Sequence, residues 1–589
     1  MNKKNNKLEV KRHSFAHVLM HALENLYGAI PGVGPVIENG FYHDFDIIKA
    51  DSKLQIREEN IKKIEKEMRR IIRGNVEIKR KEMPIDEGIE LLKQKKYKYT
   101  EELAQELKDK QEKKISFYEQ GDFINMCKGP HVDSTEELNP DAFKLTKIAG
   151  AYWRGDEKNE MIQRIYGVAF ETKEELVEYL AMIEEAKKID HRKLGKELDL
   201  FSISQKIGQG LILWHPKLAK AREAAESFWR KLHRIRGYDT VYTPHIGKAE
   251  LWQTSGHLDF FRDSMYPPFR DPESQEEYFI KPMNCPFHVE IYKFRPRSYK
   301  EFPLRWNELG TVYRYEQSGE LSGMLRVRGF TQDDAHVICR EDQFVDEYRE
   351  ILKFTLDMYE AFGFKRENVK GYIAIRDPKL DKYAGTDEIW KKAEKTVQQV
   401  VEEFNIPHEI EEGGAKFYGP ALDLKIKDAI GREWQLTTIQ LDFNLPEKFK
   451  MVYDGPNGEE QPIMIHRALL GSWERFFAIL IEHYGGKFPL WLAPVQVKIL
   501  PIGEGHREYA REVFENLRAQ DFRVEIDNND ETLGKKIRNC RLEKVPYFIV
   551  IGDKEVESQI LTLESRDSKD AEKISVEDLI KKLTKLTTK

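Results

Sequence analysis

The chain has 589 residues, 40% hydrophobic, 34% charged and 11% aromatic, which exceeds what one hydrophobic core organises and implies roughly three or four domains. No apolar run reaches membrane-spanning length, no signal-peptide core opens the chain, and four cysteines give no disulfide framework, so a reducing, cytoplasmic setting is expected. The formal net charge of −6 argues mildly against nucleic-acid binding, though a local basic surface is enough to hold phosphates.

In chain order, the first element is a helix. Within HSFAHVLMHALENLYG, Val18, Leu19, Ala22, Leu23 and Leu26 form an apolar stripe, and His13, His17 and His21 fall at i, i+4 and i+8 on one face. PGVGPVIENGFYHDFD breaks the helix and enters strands, and a charged helix is expected over 56–73. DFINMCKGPHV then places Cys127 and His131 at C-x-x-x-H spacing. On residue chemistry alone, HxxxH with CxxxH is a four-ligand set that suits zinc, and a packed His/Cys cluster is its rival. Residues 172–197 read as one long charged helix linking two modules, with a solvated face as the default for such a charge run.

Beyond 198, an amphipathic helix is expected over 215–236, then a strand in YDTVYTPHIGKAELW ending at Pro244. EEYFIKPMNCPFHVEIYKF reads as strand, turn and helix, with Cys285 opening the helix. In 305–336, LGTVYRY and LRVRGF alternate apolar and polar residues across the loop QSGELSGM, predicting an antiparallel hairpin. Arg314, Arg326 and Arg328 stand at its ends beside Glu316, and the polar cluster Gln332, Asp333, Asp334 and His336 follows. Composition alone would make this a solvated hairpin with surface arginines. A long helix is expected over 341–362, then alternating antiparallel strands in GAKFYGPALDLKIKDAIGREWQLTTIQLDF. PIMIHRALLGSWERFFAIL gives a strand carrying His466, a turn at Gly471 and a helix carrying Arg475. From about 489, the strands VQVKILPI, FRVEIDN, PYFIVIGD and ILTLESRD alternate with helices over 505–519, 532–544 and 576–586, the pattern of a mixed or parallel sheet with right-handed crossovers.

These motifs, in this order, resemble threonyl-tRNA synthetases, bacterial-type members of the class II aminoacyl-tRNA synthetases. YDTVYTPH looks like motif 1; RYE at 314–316 with RVRGFTQDDAH looks like motif 2; MIHRALLGS with Arg475 looks like motif 3. HSFAHVL, GPVIENGFYHDFD, MCKGPHV and KIAGAYWRGDEKNEMIQRIYG resemble the family's editing domain, and WLAPVQV with VPYFIVIGDKEVES its anticodon-binding domain. The resemblance implies an α+β multidomain architecture: an editing domain over 1–171, a linker helix over 172–197, a class II antiparallel-sheet catalytic domain over 198–488 and an α/β anticodon-binding domain over 489–589. The family's small ubiquitin-like domain is expected to be absent. The implied activity is ATP-dependent attachment of threonine to tRNA(Thr) through threonyl-adenylate, in a homodimer built on motif 1.

Carried over residue by residue, Cys285, His336 and His466 become ligands of one zinc ion per subunit. Threonine and valine are near-isosteric, so shape alone separates them only about a hundredfold. A metal that takes the amino group and the side-chain hydroxyl makes the selection chemical, with Asp334 accepting from the same hydroxyl. Serine keeps that hydroxyl and loses one methyl, about 1–3 kcal/mol, so a hydrolytic site is the expected companion. The resemblance gives that role to His13, His17, Cys127 and His131, acting on Ser-tRNA(Thr) without metal, and none to His21. Arg314 bridges threonine carboxylate and α-phosphate, Arg326 and Arg475 hold the outer phosphates with Mg²⁺, and His257 is tied to transfer onto tRNA. Met283, Gln332, Tyr418 and Gln440 line the pocket.

Several positions depart from the family. Asn125 stands where Asp is usual, which implies weakened editing, since an amide cannot act as a base. Arg538 and Glu555 match the anticodon contacts, whereas Asp530 and Glu564 oppose them. Phe287, Ser322, Ala421, Leu436 and Thr437 depart around the pocket, none at the zinc ligands or motif arginines. The rival reading, a regulatory paralogue that binds tRNA or a tRNA-like mRNA, is disfavoured because such proteins lose the groups retained here.

Overall fold

The computed structural model describes residues 3–49, 52–53, 55–156, 158–380, 383, 385–428, 431–568 and 570–587. The chain forms two compact units, Met1–Glu184 and Glu185–Lys589.

In the first unit the apolar stripe of helix Lys3–Tyr27 is fully buried at Val18, Leu19, Ala22 and Leu23. It packs with Phe41, Phe45, Phe143 and Ile165 of an antiparallel sheet and with helix Ile61–Arg73. That sheet runs Ile30–Pro31, Gly40–Asp46, Met161–Ala169, Phe143–Tyr152, with Val36–Ile37 pairing on Gly40–Asp46. A second antiparallel sheet, Ile78–Pro84, Lys114–Gln120 and Phe123–Met126, is backed by helices Ile85–Lys95 and Lys98–Asp109. Its last strand leads straight into Cys127.

The second unit is organised by an eight-stranded sheet in the order Asp239–Thr240, Leu304–Tyr313, Gly329–Cys339, Ile463–Ser472, Glu433–Asp442, Ala421–Lys427, Val369–Ile375, His408–Glu412. All pairings are antiparallel except the two at the edges. Helices Pro216–Ile235, Phe344–Ala361 and Trp473–His483 share a core with one face, where Trp229, Phe354 and Phe476 meet Ala335, Val337 and Cys339. The period-two alternation of a strand therefore sends Gln332, Asp334 and His336 to the opposite face. Residues 497–574 form a further sheet, ordered Val524–Ile526, Val497–Pro501, Tyr547–Ile551, Leu561–Ser565, Glu572–Ile574. Its first three strands are parallel and its last two antiparallel, so the mixed form is the one adopted.

Three expectations are corrected. The single helix over 172–197 is two, Lys173–Ile189 and His191–Glu197. Asp190 breaks it because its carboxylate accepts from Arg192 N at 2.8 Å, a cap that competes with helix continuation. The strand expected up to Pro244 is only Asp239–Thr240. Thr243 leaves the ladder because its N–H, at 2.8 Å, and its hydroxyl go to the Glu308 carboxylate. The second hairpin strand starts at Gly329, so 325–328 is loop and the polar cluster is the strand itself. Arg328 N is taken by Gly210 O at 2.7 Å and cannot continue the ladder.

Candidate active site

Strand register builds the centre of the site. His336 lies directly opposite His466, and His466 directly opposite Gln440 on the next strand. Cys285 opens helix Cys285–Lys293, and its ligand atom lies within 4.8 Å of those of both histidines. Asp442 Oδ2 is 2.8 Å from His466 Nε2, and Glu308 Oε2 is 3.2 Å from His288 Nε2. Each ionised carboxylate takes the ring proton it faces. His288 Nδ1 is then left to accept from His336 Nδ1 at 2.8 Å. The consequence is that His336 Nε2 and His466 Nδ1, 2.9 Å apart, both present lone pairs. Burial and the carboxylates Asp334 and Asp442 push the Cys285 thiol well up. Two facing lone pairs beside a thiol form a donor set that a soft-tolerant cation completes, so the residues fit zinc.

A cleft of about 450 Å³ opens from this centre, lined by Met283, Arg314, Gln332, Tyr418, Gln440 and Arg475 among others. Tyr418 donates to Gln440 Oε1 at 3.2 Å. Asn284 Nδ2 holds Asp334 Oδ2 at 2.9 Å, and a Cβ at Gly310 would sit 2.3 Å from that Asn284 nitrogen. Glycine is therefore required there to leave room for the amide that aims Asp334.

At the other end, Arg314 lies over the rings of Phe261 and Phe330, at 5.4 and 5.2 Å, and donates to Pro282 O at 3.3 Å. No carboxylate reaches it among the described residues. Burial works against its charge, so an incoming anion is the partner this guanidinium lacks. Arg326 differs: it is engaged by Glu316 at 2.9 Å and by Glu320 at 2.9 Å. Arg475 stands in the first turn of helix Trp473–His483, where Ser472 Oγ caps its N–H at 3.2 Å and its side chain donates to Leu325 O at 3.0 Å. A helix N-terminus facing the cleft suits phosphate. His257 is positioned beside the cleft by Ser255 Oγ at 2.7 Å and Met283 Sδ at 3.0 Å. Burial lowers it to about 4, leaving the ring neutral.

In the first unit, Cys127 Sγ stands 3.4 Å from His13 Nε2 and 3.3 Å from His131 Nε2. His13 Nδ1 lies 3.1 Å from Pro130 O, which can only accept. Ser14 Oγ gives its proton to Val10 O, so His131 Nδ1, 3.2 Å away, must be the donor in that pair. Both inward nitrogens thus carry lone pairs. His17 packs on His131 with ring centroids 4.8 Å apart, is oriented by Gln120, and is held near 3 by burial. The sequence-predicted residues of each site are therefore brought together, and within each unit. His21, given no role by the resemblance, stacks on Phe123, accepts from Gln120 Nε2 and lies 3.2 Å from Asp122 Oδ1. Asn125 is buried and spends Oδ1 on Met126 N at 2.9 Å.

Three comparisons with known proteins bear on this chain. The profile for the class II tRNA synthetase core domain (G, H, P, S and T) matches residues 268–484. The anticodon binding domain matches 496–586, and the threonyl and alanyl tRNA synthetase second additional domain matches 115–166. The threonine–tRNA ligase of Sulfurihydrogenibium sp. (strain YO3AOP1) is 49% identical over 98% of this chain and 88% of its own length. That of Borreliella afzelii (strain PKo) is 46% identical, covering 97% and 96%. The chain belongs to the threonine–tRNA ligase family. Among solved structures, the RNA binding domain of threonyl-tRNA synthetase from Cryptosporidium parvum Iowa II is similar to this ligase at 36% identity and TM-score 0.63, covering 67% of this chain and 98% of that one. A putative threonyl-tRNA synthetase from Aeropyrum pernix is similar at 32% and 0.58, covering 68% and 97%. The expected fold class stands: a class II core, an editing-type domain and an anticodon-binding domain. No described helix of the ligase is long and apolar enough to cross a membrane.

Sequence reading missed the groups behind the ligands. No spacing rule links 288 to 308 or 442 to 466: the packing of helix Cys285–Lys293 on strand Leu304–Tyr313 makes the first contact and the pairing of neighbouring strands makes the second. His43 is likewise buried in the editing-type unit, its ring lowered to about 4 by burial with a further contribution from His13. A third His-carboxylate group, Asp190, His191 and Glu482, is fully engaged: His191 Nδ1 meets Glu482 at 2.6 Å and its Nε2 accepts from Met324 N at 3.1 Å. It anchors the loop preceding Gly329. Around the last sheet, Glu555 of helix Asp553–Ser558 is turned inward onto Gly552 N, Thr562 and Lys573, while Arg538 of helix Leu533–Leu542 and the loop residue Asp530 are exposed.

Proposed function

We propose that the ligase selects threonine at a zinc ion held by Cys285, His336 and His466 and hydrolyses Ser-tRNA(Thr) at His13, His17, Cys127 and His131. The paired carboxylate–histidine relays support the first half most directly, since they leave a donor set that calls for a cation. When bound, the zinc supplies a Lewis-acid centre for the amino and hydroxyl groups of threonine. Asp334, aimed by Asn284, accepts from that hydroxyl. Gln332, Met283, Tyr418 and Gln440 bound the rest of the amino-acid pocket. Arg314 straddles the carboxylate and α-phosphate as the carboxylate attacks, Arg326 and Arg475 draw the outer phosphates away with Mg²⁺, and pyrophosphate leaves. His257, neutral and held beside the cleft against Met283, assists the terminal ribose hydroxyl of tRNA in the second step. Glu316 holds Arg326 in place until the nucleotide displaces that contact.

The modules run over 1–171, 172–197, 198–488 and 489–589, two chains pair through the segment around Asp239–Thr240, and the enzyme works in the cytoplasm. The decisive experiment is pyrophosphate exchange into ATP with metal analysis on the same sample. Threonine is expected to drive exchange, serine to drive it weakly and valine not at all; exchange with valine as fast as with threonine would remove the zinc-selection reading.

For hydrolysis, the neutral imidazole of His13 or His131 takes a proton from water as it attacks the ester carbonyl; the ester C–O bond then breaks, the imidazolium returns that proton to the departing ribose oxygen of the tRNA, and serine leaves as the free acid, while the Cys127 thiol donates toward the other ring. Asn125→Asp is expected to speed deacylation of Ser-tRNA(Thr) about tenfold or more by adding a carboxylate where an amide now stands. Measured single-turnover deacylation with no gain would show that position 125 does not limit the reaction.

A further inference from the structure

The ladder between Gly329–Cys339 and Ile463–Ser472 is interrupted. Asp334 pairs with Ala468 and Gln332 with Ser472, so one residue, Asp333, stands against three, Leu469, Leu470 and Gly471. Such a bulge orphans backbone amides from the ladder. Here one side chain collects all three. Asp333 Oδ2 accepts from Leu469 N at 3.0 Å and Leu470 N at 2.9 Å, and Oδ1 accepts from Gly471 N at 2.9 Å. Trp229 Nε1, on the helical layer, lies 3.4 Å from Oδ2. Asp333 is 1% exposed and on the side of the strand opposite Gln332 and Asp334, so it does not itself line the cleft and reaches it only through the backbone of Gly471. Gly471 adopts φ +81°, and a Cβ there would lie 2.8 Å from Leu436 O. The residues set by this bulge are Gly471, Ser472 and Arg475, all of which line the nucleotide end of the cleft.

We propose that Asp333 is a positioning residue for ATP: from the back of the sheet it fixes the Leu469–Gly471 bulge and thereby the place of the Ser472-capped helix start and Arg475. The inference rests on the reading that this end of the cleft holds the phosphates. An asparagine has one acceptor oxygen and an NH₂ that would face an amide N–H, so at least one of the three bonds is lost. A misplacement of about 1 Å around a reacting group can cost roughly 10²-fold in rate.

The test is steady-state pyrophosphate exchange by the full-length enzyme carrying Asp333→Asn. The expected result is a KM for ATP raised about tenfold or more, with the KM for threonine and the zinc content unchanged. Gly471→Ala, which strains the same bulge without touching the carboxylate, is expected to shift the KM for ATP in the same direction and carries the test should Asp333→Asn not fold. A lower melting temperature with both KM values unchanged in these variants would make Asp333 merely structural and overturn the proposal. Arg475→Ala separates the two ideas: if it leaves the KM for ATP unchanged, the phosphate assignment itself is wrong, whereas a raised KM there with none in Asp333→Asn or Gly471→Ala defeats the positioning role alone.

Discussion

Arg314→Lys is expected to lower the rate of adenylate formation about 10²–10³-fold, the scale seen when one preorganised donor to a developing anion is removed. The reason is specific to this guanidinium. It is held between Phe261 and Phe330 and tethered only to Pro282 O, with no carboxylate partner among the described residues. Its planar fork can therefore reach two anionic groups at once, the threonine carboxylate and the α-phosphate. Lysine keeps the charge but is a point donor on a flexible stem and loses the bidentate geometry. Single-turnover adenylate formation monitored by rapid quench reads this directly. Because the interaction strengthens as charge develops, kcat should fall more than KM rises. Arg326→Lys should cost much less, since Arg326 is exposed and already shared between Glu316 and Glu320. Equal losses in the two variants would mean that charge rather than fork geometry is what the site uses.

The sequence carried the local elements of this fold well, because each rests on signals a short window contains. The apolar stripe of Lys3–Tyr27, the Gly471 turn before helix Trp473–His483 and the strand alternation of Glu433–Asp442 are all of this kind. Errors arose where tertiary partners overrode the window. LRVR alternates like a strand, yet Gly210 takes the amide of Arg328. QDDAH reads as a polar cluster after the strand, yet it is the strand itself, with the cleft on one side and the Asp333 bulge contact on the other. Cys285, His336 and His466 came from family motifs, since they have no local relation, whereas His13, His17, Cys127 and His131 were already legible as HxxxH and CxxxH spacings. What neither motif nor pattern could supply is the layer behind them, Glu308, His288, Asp442 and Asp333, since cross-strand register and burial create those contacts.

With zinc held as proposed, one ion per chain, Cys285→Ala is expected to leave a small fraction of that after dialysis and to abolish threonine-dependent exchange. The remaining pair, His336 Nε2 and His466 Nδ1, still offers lone pairs but no thiolate, and two ligands do not hold zinc in competition with buffer. His13→Ala should keep the full zinc complement, because its cluster lies in the other unit; zinc lost there instead would mean the two His/Cys groups have been confused. The relays give a graded version of the same test. Asp442→Asn and His288→Gln leave all three ligands in place but no longer dictate which ring nitrogen carries the proton, so zinc affinity should weaken about 10–100-fold, read by chelator competition rather than by activity. Selectivity should follow the metal. A site that rejects an analogue by leaving its own polar groups unmatched can reach 10⁴–10⁵, roughly, whereas shape alone gives about a hundredfold. In a partly zinc-depleted relay variant, any residual exchange with threonine over valine should therefore track bound zinc. Selectivity that stays constant while zinc falls would place the discrimination in Asp334 and the pocket walls, and the metal would then serve only to hold the strands of the site together.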